Sequence, residues 1–217
     1  MIMKLKKVLT ADQSPTLYVS ELDEHYHSVN GAVRESVHVF INAGLKQIEK
    51  ETVNILEIGF GTGLNTILSY TENIKLKKLI YYESLEKYPL SSEIINSLQE
   101  NSVFSSEISK KIQQAIWEKP VKISDNFTLK KIQIDLLDYY PDKTFDLIYF
   151  DAFSPDKQPE LWTEDIFTKL YAATGKNGIL VTYSAKGIIK QALRKVGFTV
   201  KRLKGPEGKR HMVKAVK

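Results

Sequence analysis

Not one of the 217 residues is cysteine, so disulfides, thiolate zinc sites and cysteine nucleophiles are excluded together. No apolar run approaches the roughly 20 residues that a membrane span needs. The lysine-bearing start MIMKLKKVLT has an apolar stretch too short for a secretory leader. The cytoplasm is therefore the expected compartment, with no membrane partner. Two phosphate signatures are missing as well. A dinucleotide fingerprint would need glycine where Leu64 stands, and a P-loop would need a Gly-Lys-Ser/Thr ending that its glycines do not have. What is present is ordinary for a globular chain, with 42% apolar and 26% charged residues. That length suits one well-filled α/β domain, expected over 46–217, with a small strand-and-helix appendage over 1–45 packed on it.

Charge is unevenly spread. From Lys186 to Lys217 eleven Lys or Arg stand against one acid, Glu207, so the first 185 residues carry about −5 of an overall +5. Such a basic end suits a polyanion, although lysines at a sheet edge also discourage edge pairing.

The chain is organised around LEIGFGTGLN, Leu56 to Asn65. A buried-strand pattern from Val53 to Ile58 runs into Gly59, Gly61 and Gly63, and LNTILSY then reads as the first turns of a helix. Glycines at alternate positions let the backbone turn sharply and approach a ligand, and the helix start offers unpaired N–H groups. Downstream, KLKKLIYYESLEKYPL carries the next strand, with Glu83 inside its apolar run and Glu86 near its end. Either acid can take a ribose, and Glu86 is preferred because ligands bind outside the carboxyl ends of the strands. From Ser91 to Pro120 the pattern is helical and polar, and Trp117 reads as a packing residue. FTLKKIQID reads as a third strand ending at Asp135, and Leu147 to Phe150 as a fourth ending at Asp151. His25, His27 and His38 complete no ligand pattern, so no metal is expected and the histidines read as scattered and solvated. Lys157 and Trp162 enter the next helix, which Thr163 is placed to cap. Either can touch a phosphate or a base, or serve as surface charge and packing. The final 20 residues read as two strands about a GPEG turn, an antiparallel hairpin.

With Glu57 just ahead of it, the G-x-G-x-G loop resembles motif I of the S-adenosylmethionine-dependent methyltransferases. Five stretches in order resemble the methyltransferase half of the bifunctional tRNA 5-methylaminomethyl-2-thiouridine biosynthesis proteins, in a stand-alone form. They are GFGTGLN, EKYPL, DAFSPDKQPELWT, TYSAKG and GKRHM. That likeness implies a Rossmann-like class I fold: a mostly parallel seven-stranded sheet, helices on both faces and the C-terminal hairpin. It further implies methyl transfer from S-adenosylmethionine to the exocyclic amine of 5-aminomethyl-(2-thio)uridine at the tRNA wobble position. Glu57, Gly59, Gly61, Gly63, Asn65, Glu86 and Asp135 would hold the cofactor, with Asp135 on the adenine amino group. Asp151 would orient the amine, with Phe153 walling the methyl from water and facing the sulfonium. Lys209, Arg210 and neighbouring basics would grip tRNA phosphates, and no DNA partner is expected. Ser36 and Ala152 fit the family pattern only loosely. No second glycine fingerprint occurs, so no FAD is expected and any oxidase step would fall to a separate protein. Two other readings remain. A small-molecule amine methyl- or aminopropyltransferase would also want an acid at Asp151, whereas a non-catalytic RNA-binding module would leave the glycine loop unexplained.

Overall fold

The computed structural model describes residues 4–100 and 103–217. The extreme start of the leader reading, and residues 101–102 of the polar helical stretch, lie outside the described residues. Strands β1 (Leu5–Leu9), β2 (Pro15–Val19) and β3 (Glu24–His25) form a small antiparallel sheet. Helix α1 (Ala32–Ser36) continues as a π-helical turn over Val37–Asn42.

The main sheet contains β4 (Thr52–Ile58), β5 (Leu79–Glu86), β6 (Pro120–Ser124), β7 (Phe127–Gln133), β8 (Phe145–Phe150) and β9 (Thr174–Thr182). Strands β10 (Thr199–Lys204) and β11 (His211–Val216) complete it, in the order β10-β11-β9-β8-β4-β5-β7-β6. The five strands from β9 to β7 in that order are parallel to their neighbours, while β6 and the β10–β11 hairpin pair antiparallel. Eight strands thus stand where seven were expected. The added one is β6, in which exposed and half-buried residues alternate and Ile123 is the single buried side chain. An edge strand of that kind carries almost no periodic signal. The preceding helices, α3 (Ser92–Leu98) and α4 (Glu107–Gln114), stop short of Ile116, which is exposed rather than part of an apolar helical face.

Side chains alternate between two cores because successive strand residues point to opposite faces. Val53 and Ile55 of β4 join Phe40 and the Leu64 and Ile67 of helix α2 (Leu64–Leu76) on one face. Leu56 and Ile58 join α5 (Glu164–Ala173) and α6 (Gly187–Lys195) on the other, through Phe167, Leu170, Ile189 and Leu193. Thr163 caps α5 as its sequence suggests, accepting from the Ile166 N–H at 3.4 Å. Strand order reverses at β4, which has β5 on one side and β8 on the other. A reversal of that kind opens a crevice at the carboxyl ends of the strands, and both the glycine loop and Asp151 lie there.

Candidate functional site

The loop after β4 is built around backbone that side chains resist. Gly59 has φ +92°, and a Cβ there would stand 2.8 Å from the Asp151 carbonyl oxygen. Gly61 has φ +52° and lies under the Tyr26 ring, which would be 3.0 Å from an added Cβ. Left-handed conformations are nearly free for glycine and strained for other residues. Loop N–H groups are also spoken for: those of Gly59 and Phe60 reach the Leu85 carbonyl at 3.0 and 2.9 Å, and that of Gly61 donates to Glu86 Oε2 at 3.0 Å. Beneath, the buried Lys131 ammonium lies 4.8 Å from the Phe60 ring and 4.6 Å from that of Trp117, and donates to the Gln113 carbonyl at 2.8 Å. Burial lowers its pKa to about 8. Trp117 is therefore a packing residue, as its setting in the sequence suggests.

Above the loop opens a cavity of about 470 Å³. Glu86 and Asp135 form one flank. Glu86 also accepts from the Tyr88 N–H at 2.8 Å, and burial raises its pKa. Asp135 pairs with Lys87 at 2.6 Å and accepts from the Leu137 N–H, and these partners hold its pKa low against the desolvation that opposes them. Glu83 faces the other side of β5, where Tyr139 and Tyr81 donate to it and Lys130 and Lys143 stand 3.7 and 3.6 Å away. An offset of three residues along a strand puts the two glutamates on opposite faces.

Asp151 lies on the opposite flank, directly beyond β8, with its N–H on the Ile58 carbonyl at 3.1 Å. Desolvation pushes its carboxyl up to about 7, with the Glu35 charge adding to the rise and the Asn65 amide and Lys209 opposing it. Asn65 Nδ2 donates to Asp151 Oδ2 at 2.7 Å. A half-ionised carboxylate beside a backbone cradle can accept the N–H groups of an amine and stabilise positive charge growing on its nitrogen. Phe153 projects into the same cavity and packs edge-on against Tyr26, ring centroids 5.2 Å apart.

Several residues named from the sequence occupy settings that the sequence did not suggest. Glu57 is fully buried under the loop and does not reach the cavity wall. Trp162 is 4% exposed and donates its indole N–H to the Phe153 carbonyl at 2.8 Å, which makes it a packing residue behind the loop. Lys157 edges the cavity, 3.9 Å from Asp23. Lys209 is inside it, paired with Glu35 at 2.5 Å and 3.9 Å above the Tyr183 ring. Arg210 is exposed, and its charge, with those of Arg202 and Lys190, helps to lower the His211 pKa after desolvation. Among the described residues none of these three cations has a carboxylate within ion-pair distance.

The three histidines are half-buried rather than solvated: His25 and His27 line the cavity beside the glycine loop, and His38 meets the Lys204 carbonyl at 2.8 Å. His27 lines the cavity, and burial drops its pKa to about 4. No three metal-ligating side chains come together among the described residues. Sequence reasoning missed Glu24, Tyr26, Glu35 and Tyr183. Glu24 accepts from the Ser154 hydroxyl at 2.9 Å and so ties the first sheet to the loop after β8. No local signal could have found these contacts, since each joins segments far apart in the chain.

A family model described as S-adenosyl-L-methionine-dependent methyltransferase matches residues 92–217, more than half of the chain, and the chain belongs to that family. Among curated relatives, the tRNA 5-methylaminomethyl-2-thiouridine biosynthesis bifunctional protein of Actinobacillus pleuropneumoniae is 30% identical over 230 residues, covering 94% of this chain and 34% of that protein. Its counterpart in Legionella pneumophila is 28% identical over 245 residues, covering 95% and 36%. The chain thus spans about a third of the length of these relatives. Among solved structures, MNMC2 from Aquifex aeolicus superposes with a TM-score of 0.79 at 26% identity, over 99% of this chain and 70% of that one. Spermidine synthase from Thermotoga maritima shares the fold at 12% identity, with a TM-score of 0.66 over 99% and 69%.

Proposed function

We propose that the protein methylates the exocyclic amine of 5-aminomethyl-(2-thio)uridine at the wobble position of tRNA, in the cytoplasm, giving 5-methylaminomethyl-(2-thio)uridine. The observation that carries this reading is Asp151, a half-buried carboxylate meeting the glycine loop across one cavity, in a chain whose relatives are named for that nucleoside. The cradle fits an adenosyl group. Gly59 and Gly61 leave room that a Cβ would fill, and of the residues lining the cavity Glu86 would take the ribose hydroxyls and Asp135, beside Ile134 and Leu136, the adenine. Bound S-adenosylmethionine supplies an electrophilic methyl.

The chain's own part is to hold the acceptor. An amine attacks only through a free lone pair, so Asp151 takes its N–H groups and aims the nitrogen, while Phe153 and Tyr26 keep water out. The exposed Arg202 and Arg210, with the half-buried Lys190, are the part of the surface suited to tRNA phosphates. Lys209 serves instead within the cavity, against Glu35 and Tyr183. The expected N-terminal unit, 1–45, would wall the site of the 46–217 domain through its residues between Leu22 and Phe40.

Labelled S-adenosylmethionine is to be incubated with the protein and tRNA from a strain lacking it, followed by nucleoside analysis. Label in 5-methylaminomethyluridine, with or without the 2-thio group, is the expected result. Cofactor binding with no label in tRNA would turn the reading to a small amine.

A further inference from the structure

Glu57 is wholly buried at the end of β4, and only one of its oxygens is accounted for. Oε2 accepts from Ser84 Oγ at 2.6 Å and from Thr66 Oγ1 at 3.2 Å. Oε1 has no partner, and neither has Asn65 Oδ1, although the Asn65 side chain is within hydrogen-bonding reach of the same carboxyl. The Tyr82 hydroxyl, also unpartnered, is within reach too. Two buried acceptors with only the Tyr82 hydroxyl proton to share leave one of them without a donor, which is costly. A single proton on Oε1 supplies the missing donor.

The surroundings favour that proton. Tyr82 and Ser84 of β5, Asn65 and Thr66 of α2, Tyr149 of β8 and Asp151 beyond it are the polar and titratable groups around Glu57, and none is a cation. Burial and the Asp151 charge raise its pKa to about 8 against the contacts with Ser84, Asn65 and Thr66, which lower it. Asn65 meanwhile has its other end fixed, with Nδ2 donating to Asp151 Oδ2. A carboxamide can be turned end for end, and here acceptor and donor neighbours on its two sides select one orientation.

We propose that Glu57 is a positioning residue that stays protonated and, by donating to Asn65 Oδ1, locks the Asn65 amide with its N–H on Asp151. One Asp151 oxygen is then held by the protein and the other is left for the acceptor. The role of Asp151 toward an amine rests on the proposed function, whereas the proton on Glu57 is a property of the protein alone.

Two measurements test it. Carbon NMR of protein labelled at glutamate carboxyls, with Glu57→Gln used for assignment, reads the proton without substrate. The expected signal is a neutral carboxyl at about pH 6 that titrates well above the usual glutamate range. A carboxylate signal at that pH would overturn the proposal, whatever the methyl acceptor proves to be. In methyl transfer, Glu57→Ala should lose about tenfold or more, and Glu57→Gln, whose amide N–H can make the same donation, should recover to within about threefold of wild type. Equal losses in both would overturn it. If Glu57→Ala does not fold, Asn65→Leu takes its place beside Glu57→Gln, with the same expected contrast.

Discussion

Asp151 combines two demands on one side chain: it must be buried enough to aim an amine without competition from water, yet ionised enough to accept its protons. A pKa raised to about 7 is the compromise. Asp151→Ala should therefore lower kcat by about a hundredfold or more while changing cofactor affinity little, as measured by single-turnover methyl transfer beside calorimetric titration. Equal losses in both would count against the role. The ionised form is the useful one, so wild-type kcat/KM should fall as pH drops below about 7, and that limb should vanish in Asp151→Asn. At this scale, residues at or just past strand ends were legible. Glu86 closes β5, Asp135 stands two residues past β7 and Asp151 directly follows β8, and position along a strand decides which face or crevice they meet. Lys209 was not legible as a cavity residue, because a lysine in a basic run looks alike whether it faces phosphate or a buried Glu35.

The β10–β11 hairpin does two jobs with one set of cations. Its turn docks on the N-terminal segment, where Glu207 pairs with Arg34 at 2.7 Å and His38 meets the Lys204 carbonyl at 2.8 Å, and so delivers Lys209 to the cavity. Arg202 and Arg210 are left outside, exposed and, among the described residues, with no carboxylate within ion-pair distance. Reversing both (Arg202→Glu with Arg210→Glu) should weaken tRNA binding by about tenfold or more at low salt and flatten its salt dependence by about two counterions. Cofactor affinity should stay as it was, and filter binding across a salt series reads both effects. Glycine loop, hairpin and helix cap could be read from the chain because each is a local pattern. Strand β6 could not, having almost no buried face, and neither could the clamp of Glu24 on Ser154, which exists only once two sheets meet.

Across the whole molecule the buried acids set how stability follows pH. Asp151 and Glu57 have native pKa values of about 7 and 8, above those of an unfolded chain, so the native state binds protons more tightly. Their contribution is full below the unfolded values and lost as pH rises through the native ones. His27, depressed to about 4, works oppositely: its contribution is present above about 6.5 and fades as pH falls toward 4. The urea midpoint should consequently rise as pH is lowered from about 8 to 6.5 and go on rising toward about pH 5, His27 then offsetting one of the two protons that the carboxyls take up. Pairing Glu57→Gln with Asp151→Asn should flatten the rise, and a midpoint that falls over the same interval would contradict this balance.

Gly59 and Asp151 follow Ile58 and Phe150, which are register partners on the adjacent parallel strands β4 and β8. Neighbouring strands stand about 4.8 Å apart wherever a sheet is hydrogen-bonded. The gap between the cradle of a donor and the seat of an acceptor is thus gauged by main-chain hydrogen bonds, which no side-chain substitution lengthens or shortens. Walls, charges and the shape of the entrance are free to drift toward new acceptors while that ruler keeps its scale.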